Sequence, residues 1–187
     1  KSAGVSSVSL LRDQKKRLAE AELLLDISRR ISAMDSLDAV LKMLVETATS
    51  RLNAERGSLF LNDPNTNELY SRVAMGNFMR EIRILSTSGI AGHVFTSGEG
   101  LIIPDAYADS RFNRNIDEQT GFVTRNILCV PIKTAKGQIM AVAQILNKKK
   151  GRFNKEDMRL LSEMMKQGAP SLQSLQFIEQ METIRRQ

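Results

Sequence analysis

The 187-residue sequence has one cysteine, one histidine, two tyrosines and no tryptophan. A lone thiol, Cys129, excludes an internal disulfide and a multi-thiolate zinc site, and it fits a reducing, cytoplasmic setting. It lies in the apolar run ILCVPI, where a structural buried thiol is the expected role. His93 sits between Gly92 and Val94 with no patterned nucleophile or acid beside it, so helix packing or capping suits it better than general-base catalysis. Scarce aromatic rings leave few platforms for stacked bases. Although the formal net charge is +6, the basic residues are scattered, and the longest run is Lys148, Lys149 and Lys150 at a strand end. Nucleic acid is therefore not the expected partner. No apolar run reaches membrane-spanning length, and KSAGVSSVSLLRDQKKR lacks the apolar centre of a signal peptide, so no membrane association is expected.

What the chain does have is a change of period. Residues 9–33 are rich in Leu, Ala, Glu, Lys and Arg, with Leu11, Leu18 and Leu25 seven apart and Leu24, Ile27 and Ile31 widening the stripe. This predicts a long amphipathic helix with coiled-coil character. Asp35 or Ser36 can cap a second helix over 37–52. Residues 58–63 then read as a strand, DPNTN as a hairpin turn, and ELYSRVA and EIRIL as further strands. SGIAGHVFTSGEG predicts a short helix between glycines, LIIP a brief strand stopped by Pro104, and NILCVPIKT with QIMAVAQILNKKK a central hairpin. A final helix opens at Phe153 and continues to about 184, with Pro170 expected to kink or interrupt it. Hairpin-linked strands with flanking helices predict an α+β fold around an antiparallel sheet.

One stretch raises a functional question. PDAYADSRFNRNIDEQTGFVTRN, residues 104–126, carries more Asp, Asn, Arg and Thr than turn formation needs. A polar segment of this length between apolar strands more often closes over something than merely links elements.

The motifs GIAGHV, IPDAYADSRFN, TGF, TRNILCVPI and NKKKGRFNKED, in this order, resemble the GAF domains, particularly those that regulate cyclic nucleotide phosphodiesterases and bacterial adenylyl cyclases. The resemblance covers about residues 36–170. It implies a central antiparallel sheet of about six strands with helices packed on one face, an N-terminal linker or dimerisation helix at 1–35, and a C-terminal connecting helix at 171–187. It also implies that residues 104–126 are a lid over a bound purine nucleotide.

Position by position, the resemblance places Arg56 and Ser58 on the first strand facing the ligand. Ile90 and Ala91 offer backbone amides to its phosphate, which suits the positive end of a helix dipole. Asn113, Asp117, Thr120 and Thr124 supply lid contacts, and Gln144 lies beside the purine. Met75 stands where some relatives carry an acidic residue near the base. Asn147, Lys148, Phe153 and Asp157 fit a structural signature in which the lysine and aspartate form a salt bridge behind the pocket. The glutamate that should follow is replaced by Met158, with Glu156 one residue early. An amide at Gln144 can both donate and accept, matching the N1 acceptor and amino donor of adenine, so cAMP is favoured over cGMP. These residues imply no metal, no covalent cofactor and no catalysis. GAF relatives that attach bilins use a lid cysteine that is absent here, and GAF-type methionine sulfoxide reductases need more than one cysteine. The competing reading is a ligand-free GAF module for dimerisation and signal transfer. In either case a homodimer and a covalently linked output domain outside this chain are the implied partners.

Overall fold

In the computed structural model, the described backbone covers residues 3–75 and 78–187; the described side chains exclude those of 3–5, 73–75, 78, 79, 119 and 120. Helix α1 spans Ala3–Ser32 and α2 spans Leu37–Arg51. Strands β1 (Ala54–Asp63), β2 (Glu68–Met75) and β3 (Phe78–Leu85) follow. Next come α3 (Gly89–Ser97), β4 (Leu101–Ile103), a single 3-10 turn at Ala106–Ala108 and α4 (Asn115–Thr120). The chain then forms β5 (Ile127–Lys133), β6 (Ile139–Lys148) and α5 (Lys155–Arg185). The six strands make one sheet in the order β3-β2-β1-β6-β5-β4, with every adjacent pair antiparallel.

Alternation along the central strands divides the core in two. Ala141, Ala143 and Ile145 of β6 join Leu59 and Leu61 of β1 and Leu128, Val130 and Ile132 of β5 under the long helices. Leu23, Ile27 and Ile31 of α1, Val40, Leu41 and Leu44 of α2, and Leu161, Met164 and Met165 of α5 close that side. Val142, on the opposite face of β6, packs with Ile127, Cys129, Ile90, Ala91, Val94 and Ala106. The three long helices therefore share one face, and α3 with residues 104–126 covers the other.

The start of α2 is set by Ser36, whose hydroxyl accepts from Ala39 N at 3.4 Å. Strand β1 begins at Ala54, four residues earlier than its alternation suggests, because Ala54 and Arg56 pair with Lys148 and Leu146. Pro170 does not end α5. Lys166 and Pro170 are both exposed, so the carbonyl left without a donor faces water. On α1, Leu11, Leu18 and Leu25 stay more than half exposed while Leu23, Ile27 and Ile31 are buried. The heptad seam and the core-facing stripe are thus separate faces of one helix.

Gly57 lies where α2 packs tightly on the sheet. A Cβ there would press on the Thr49 hydroxyl oxygen and lie 2.9 Å from Ile145 Cδ1 and 3.2 Å from Val45 Cγ1. Thr49 cannot swing away freely, because its hydroxyl donates to Val45 O at 2.7 Å. Gly57→Ala is expected to destabilise the fold by about 1–3 kcal/mol through overpacking; a lowered denaturant midpoint with an unchanged slope is the measurement that checks it.

Candidate functional site

The face of the sheet opposite the long helices carries the candidate site. Leu59 and Leu61 point into the helix-side core, so Arg56, Ser58 and Phe60 project from the other face. The register sets Ser58 opposite Gln144 and Arg56 opposite Leu146, and Gln144 in turn opposite Cys129 of β5. Ser58 and Gln144 are thus cross-strand neighbours, both half-buried. The small residues at the start of α3 bring its first turn onto this face, where Ile90 and Ala91 are buried. Ser88 caps that helix with extended backbone but no side-chain hydrogen bond to the first turn.

Over this face runs the segment 104–126. It is not a plain loop: it holds a 3-10 turn and α4, which ends at Gly121 in the left-handed conformation with φ 71°. The signals for α4 were present in the sequence, since Asp117 and Glu118 fall in its first turn and Gly121 follows it. Asp117 and Thr124 are brought together. The Asp117 carboxylate accepts from Thr124 N at 2.7 Å, Thr124 Oγ1 at 2.8 Å and the Tyr107 hydroxyl at 2.8 Å. Asn113 is exposed and its Oδ1 accepts from Asn115 N at 3.0 Å, an Asx turn. The side chains of Thr120 and Met75 lie outside the described residues.

Phe122 of TGF and Tyr107 of IPDAYADSRFN make contacts that the motifs themselves do not reveal. The Arg56 guanidinium sits 4.0 Å from the Phe122 ring centroid, a cation-π contact between β1 and the lid. Tyr107 meets Phe112 edge-on at 5.3 Å. The apolar pair FV between Gly121 and Thr124 is the only local sign of an anchor, and the partner strand is more than sixty residues away in sequence. Asp109 and Arg111 form a second lid pair at 2.7 Å, and the bonded guanidinium holds the Asp109 carboxyl down at about 2.

Behind the lid, Asn147 is fully buried with φ 60°, in the left-handed region that asparagine tolerates. Lys148 Nζ lies 3.0 and 3.1 Å from the two Asp157 oxygens, with both side chains largely buried. Asp157 also accepts from Asn154 N while Asn154 Oδ1 accepts from Asp157 N, a capping box that starts α5. Phe153 is buried beside the lysine, 5.7 Å from Nζ to ring centroid. The pair therefore joins the end of β6 to the first turn of α5. It does not touch the face that carries Ser58 and Gln144.

Burial pushes the Cys129 thiol up from its ordinary range, the environment of a structural rather than an activated cysteine. Among the described residues, no group of three or more His, Cys, Asp or Glu could hold a metal ion, and no helix is long and apolar enough to cross a membrane.

A family model described as "GAF domain" matches residues 36–172. The chain belongs to the GAF family. Among curated relatives of this GAF domain, the dual 3',5'-cyclic-AMP and -GMP phosphodiesterase 11 of Drosophila melanogaster is 35% identical over 187 residues, covering 91% of this chain and 13% of that protein. The probable 3',5'-cyclic phosphodiesterase pde-5 of Caenorhabditis elegans is 37% identical over 150 residues, covering 73% of this chain and 20% of that protein. The chain thus spans a fifth or less of these relatives. Among solved structures, the GAF domain of a phosphoenolpyruvate-protein phosphotransferase from Coxiella burnetii superposes with a TM-score of 0.72 at 18% identity, over 86% of this chain and 96% of that one. Free methionine-R-sulfoxide reductase from Neisseria meningitidis gives 0.69 at 17% identity, over 87% and 93%. The last two show the shared fold, which hosts both enzymes and other domains.

The Lys148–Asp157 pair yields a direct test. Removing either partner strands a mostly buried charge and, for Asp157, part of the helix cap, so each single alanine variant is expected to lose about 2–4 kcal/mol. The double variant should recover part of that loss in a thermal-melt cycle; small, additive losses would mean that the bridge contributes little.

Proposed function

We propose that this GAF domain is a non-catalytic regulatory module that binds a cyclic purine nucleotide reversibly, with cAMP preferred to cGMP. The observation that carries the reading is the shared face of Ser58, Gln144 and Arg56, with the first turn of α3 on the same side of the sheet and a polar lid over it. Cyclic nucleotide phosphodiesterases among the relatives support the ligand class. In this reading the amides of Ile90 and Ala91 meet the phosphate. Ser58 and Arg56 flank it, and the lid residues Asn113, Asp117, Thr120 and Thr124 close around ribose and base. Gln144 reads the purine edge, and one amide contact supplies about 1–3 kcal/mol of discrimination.

A ligand-free GAF module is the second reading, favoured by one observation: the lid is already bonded to itself and to the sheet. Asp117 spends its oxygens on Thr124 and Tyr107, and Arg56 is stacked on Phe122. Under nucleotide binding, Arg56 leaves Phe122 or carries the ring with it as the ligand enters.

A covalently linked output domain, such as a phosphodiesterase or cyclase, belongs to the same proposal. The terminal helices are its route. Leu11, Leu18 and Leu25 on α1 and Phe177, Ile178 and Ile184 on α5 remain at least half exposed. A second copy of the chain is the simplest cover for two such stripes, in a parallel homodimer that passes lid closure on as a change of helix packing.

Thermal melts with cAMP and cGMP test the binding reading: at a hundredfold excess over Kd, binding should add about 2.7 kcal/mol of stability. No shift with either nucleotide, and none retained on purification, favours the ligand-free module. Gln144→Glu should move preference toward cGMP in a competition assay, and an unchanged ratio would remove Gln144 from the purine contact. For the dimer, sedimentation of Leu11→Lys, Leu18→Lys and Leu25→Lys combined should give a monomer with unchanged helix content, since these side chains lie outside the core; a monomeric parent chain at high concentration counts decisively against the dimer.

A further inference from the structure

The C-terminal stem of the lid is held by a polar clasp built from residues of three separate segments. Asn147, at the end of β6, uses both ends of its side-chain amide. Its Oδ1 accepts from Arg125 N at 2.6 Å and Asn126 N at 3.3 Å, and its Nδ2 donates to Val123 O at 2.8 Å and Glu55 Oε2 at 3.0 Å. Glu55, on β1, offers its other oxygen to the Arg125 guanidinium at 2.8 Å. The Asn147 and Arg125 hydrogen bonds hold the Glu55 carboxyl below its ordinary range. Asn126 completes the crossing: its carbonyl accepts from Asn147 N at 2.9 Å and its side-chain oxygen from Lys148 N at 2.8 Å. On the other side of the stem, Asp117 binds Thr124.

This placement is selective. Residues 123–126 are pinned to the two central strands, whereas the rest of the lid is tied chiefly within itself, through Asp117, Asp109 and the Asn113 turn. Glu55 immediately precedes Arg56 on β1, so the clasp and the Arg56–Phe122 stack sit on adjacent residues of one strand and grip adjacent residues of the lid. An opening motion that frees the sheet face must break the stack while the clasp holds, or break both.

We propose that Glu55, Arg125 and Asn147 are positioning residues that act as the hinge clasp of the lid, fixing its stem and thereby setting how fast a bound nucleotide escapes. None of the three needs to touch ligand. The link to nucleotide release rests on the binding reading above; the clasp itself does not.

The test uses the full chain with Glu55→Ala, Arg125→Ala, their combination, and Asn147→Gly. Glycine tolerates the left-handed backbone and removes the buried amide with its contacts. Hydrogen exchange of the ligand-free chain reads the clasp. Amides in 122–126 should exchange about three- to tenfold faster in the two single alanine variants, whose ion pair is partly solvated. In Asn147→Gly the increase should be about tenfold or more, because several buried bonds are lost together. Exchange in α2 should stay at the parent rate. The paired alanine variant should show less than the product of the single effects, as shared contacts require. Rates in 122–126 equal to those of the parent, or a uniform rise that includes α2, overturn the clasp in favour of a general contribution to stability. If Asn147→Gly does not fold, the half-exposed Glu55 and Arg125 variants decide the matter alone.

Release of fluorescent cAMP, measured by stopped flow, reads the function. The alanine variants should raise koff about three- to tenfold with kon changed less than twofold. Faster exchange with unchanged koff overturns the link to release. A parent chain that binds no nucleotide overturns the binding reading instead, while the exchange data still decide the clasp.

Discussion

The pairing of β6 between β1 and β5 is the constraint on which the rest depends. β6 is covered on both faces, so its alternation assigns each neighbour a side: Ala141, Ala143 and Ile145 turn to the long helices, Val142, Gln144 and Leu146 to α3 and the lid. A one-residue slip would exchange the two sets. It would bury the polar Gln144 amide among Leu44, Leu161 and Met165 and turn alanines toward the lid, so hydrophobic burial and the placement of the polar face enforce the same register.

The end of that strand carries a second job. Asn147 in the left-handed conformation turns the chain out of the sheet, and its side chain binds the lid stem. The next residue, Lys148, binds Asp157 at the start of α5. Two consecutive residues therefore join three elements: the segment 104–126, the sheet and α5. Alternation alone does not assign these roles, since it would put Asn147 on the side of Ile145 and Lys148 on the side of Gln144; the left-handed turn at Asn147, with φ 60°, redirects the chain there. A change in the lid stem is mechanically close to the first turn of α5, although the face of Ser58 and Gln144 and the Lys148–Asp157 pair lie on different sides of the sheet. The far half of α5 is latched separately, where Arg72 of β2 reaches Glu179 at 2.7 Å and Asp38 of α2 at 3.0 Å, and Gln176 donates to Tyr70 and to Asn62 O.

Local patterns in the sequence carried much of this. The amphipathic periods of 9–33 and 37–52 lie within or within one residue of α1 and α2, the DPNTN turn joins β1 to β2, and the α3 segment sits between glycines in left-handed or turn positions at Gly89 and Gly98. These signals are local, so neighbouring residues suffice to reveal them. Helix α4 and the extension of β1 back to Ala54 do not stand out in the local pattern, which also leaves open whether Pro170 kinks or interrupts α5. The first is six residues long, the second depends on a partner strand about ninety residues away, and the third depends on which carbonyl faces water.

The candidate site divides in the same way. The composition of 104–126 was enough to mark a polar cover, and the GAF resemblance, matched position by position, was enough to name Arg56, Ser58, Ile90, Ala91 and Gln144 as candidates for one face. Sequence alone thus determined the element types apart from α4, the GAF resemblance and the set of polar residues available, because periodicity, turn chemistry and motif spacing are properties of the chain itself. Tertiary structure decided which of those polar groups meet which. It spent Asp117 on Thr124 and Tyr107, stacked Arg56 on Phe122, and recruited Glu55 and Arg125 to Asn147. A carboxylate or guanidinium has many geometrically acceptable partners, and only the packed register of β1, β6 and the lid brings one of them within hydrogen-bonding distance.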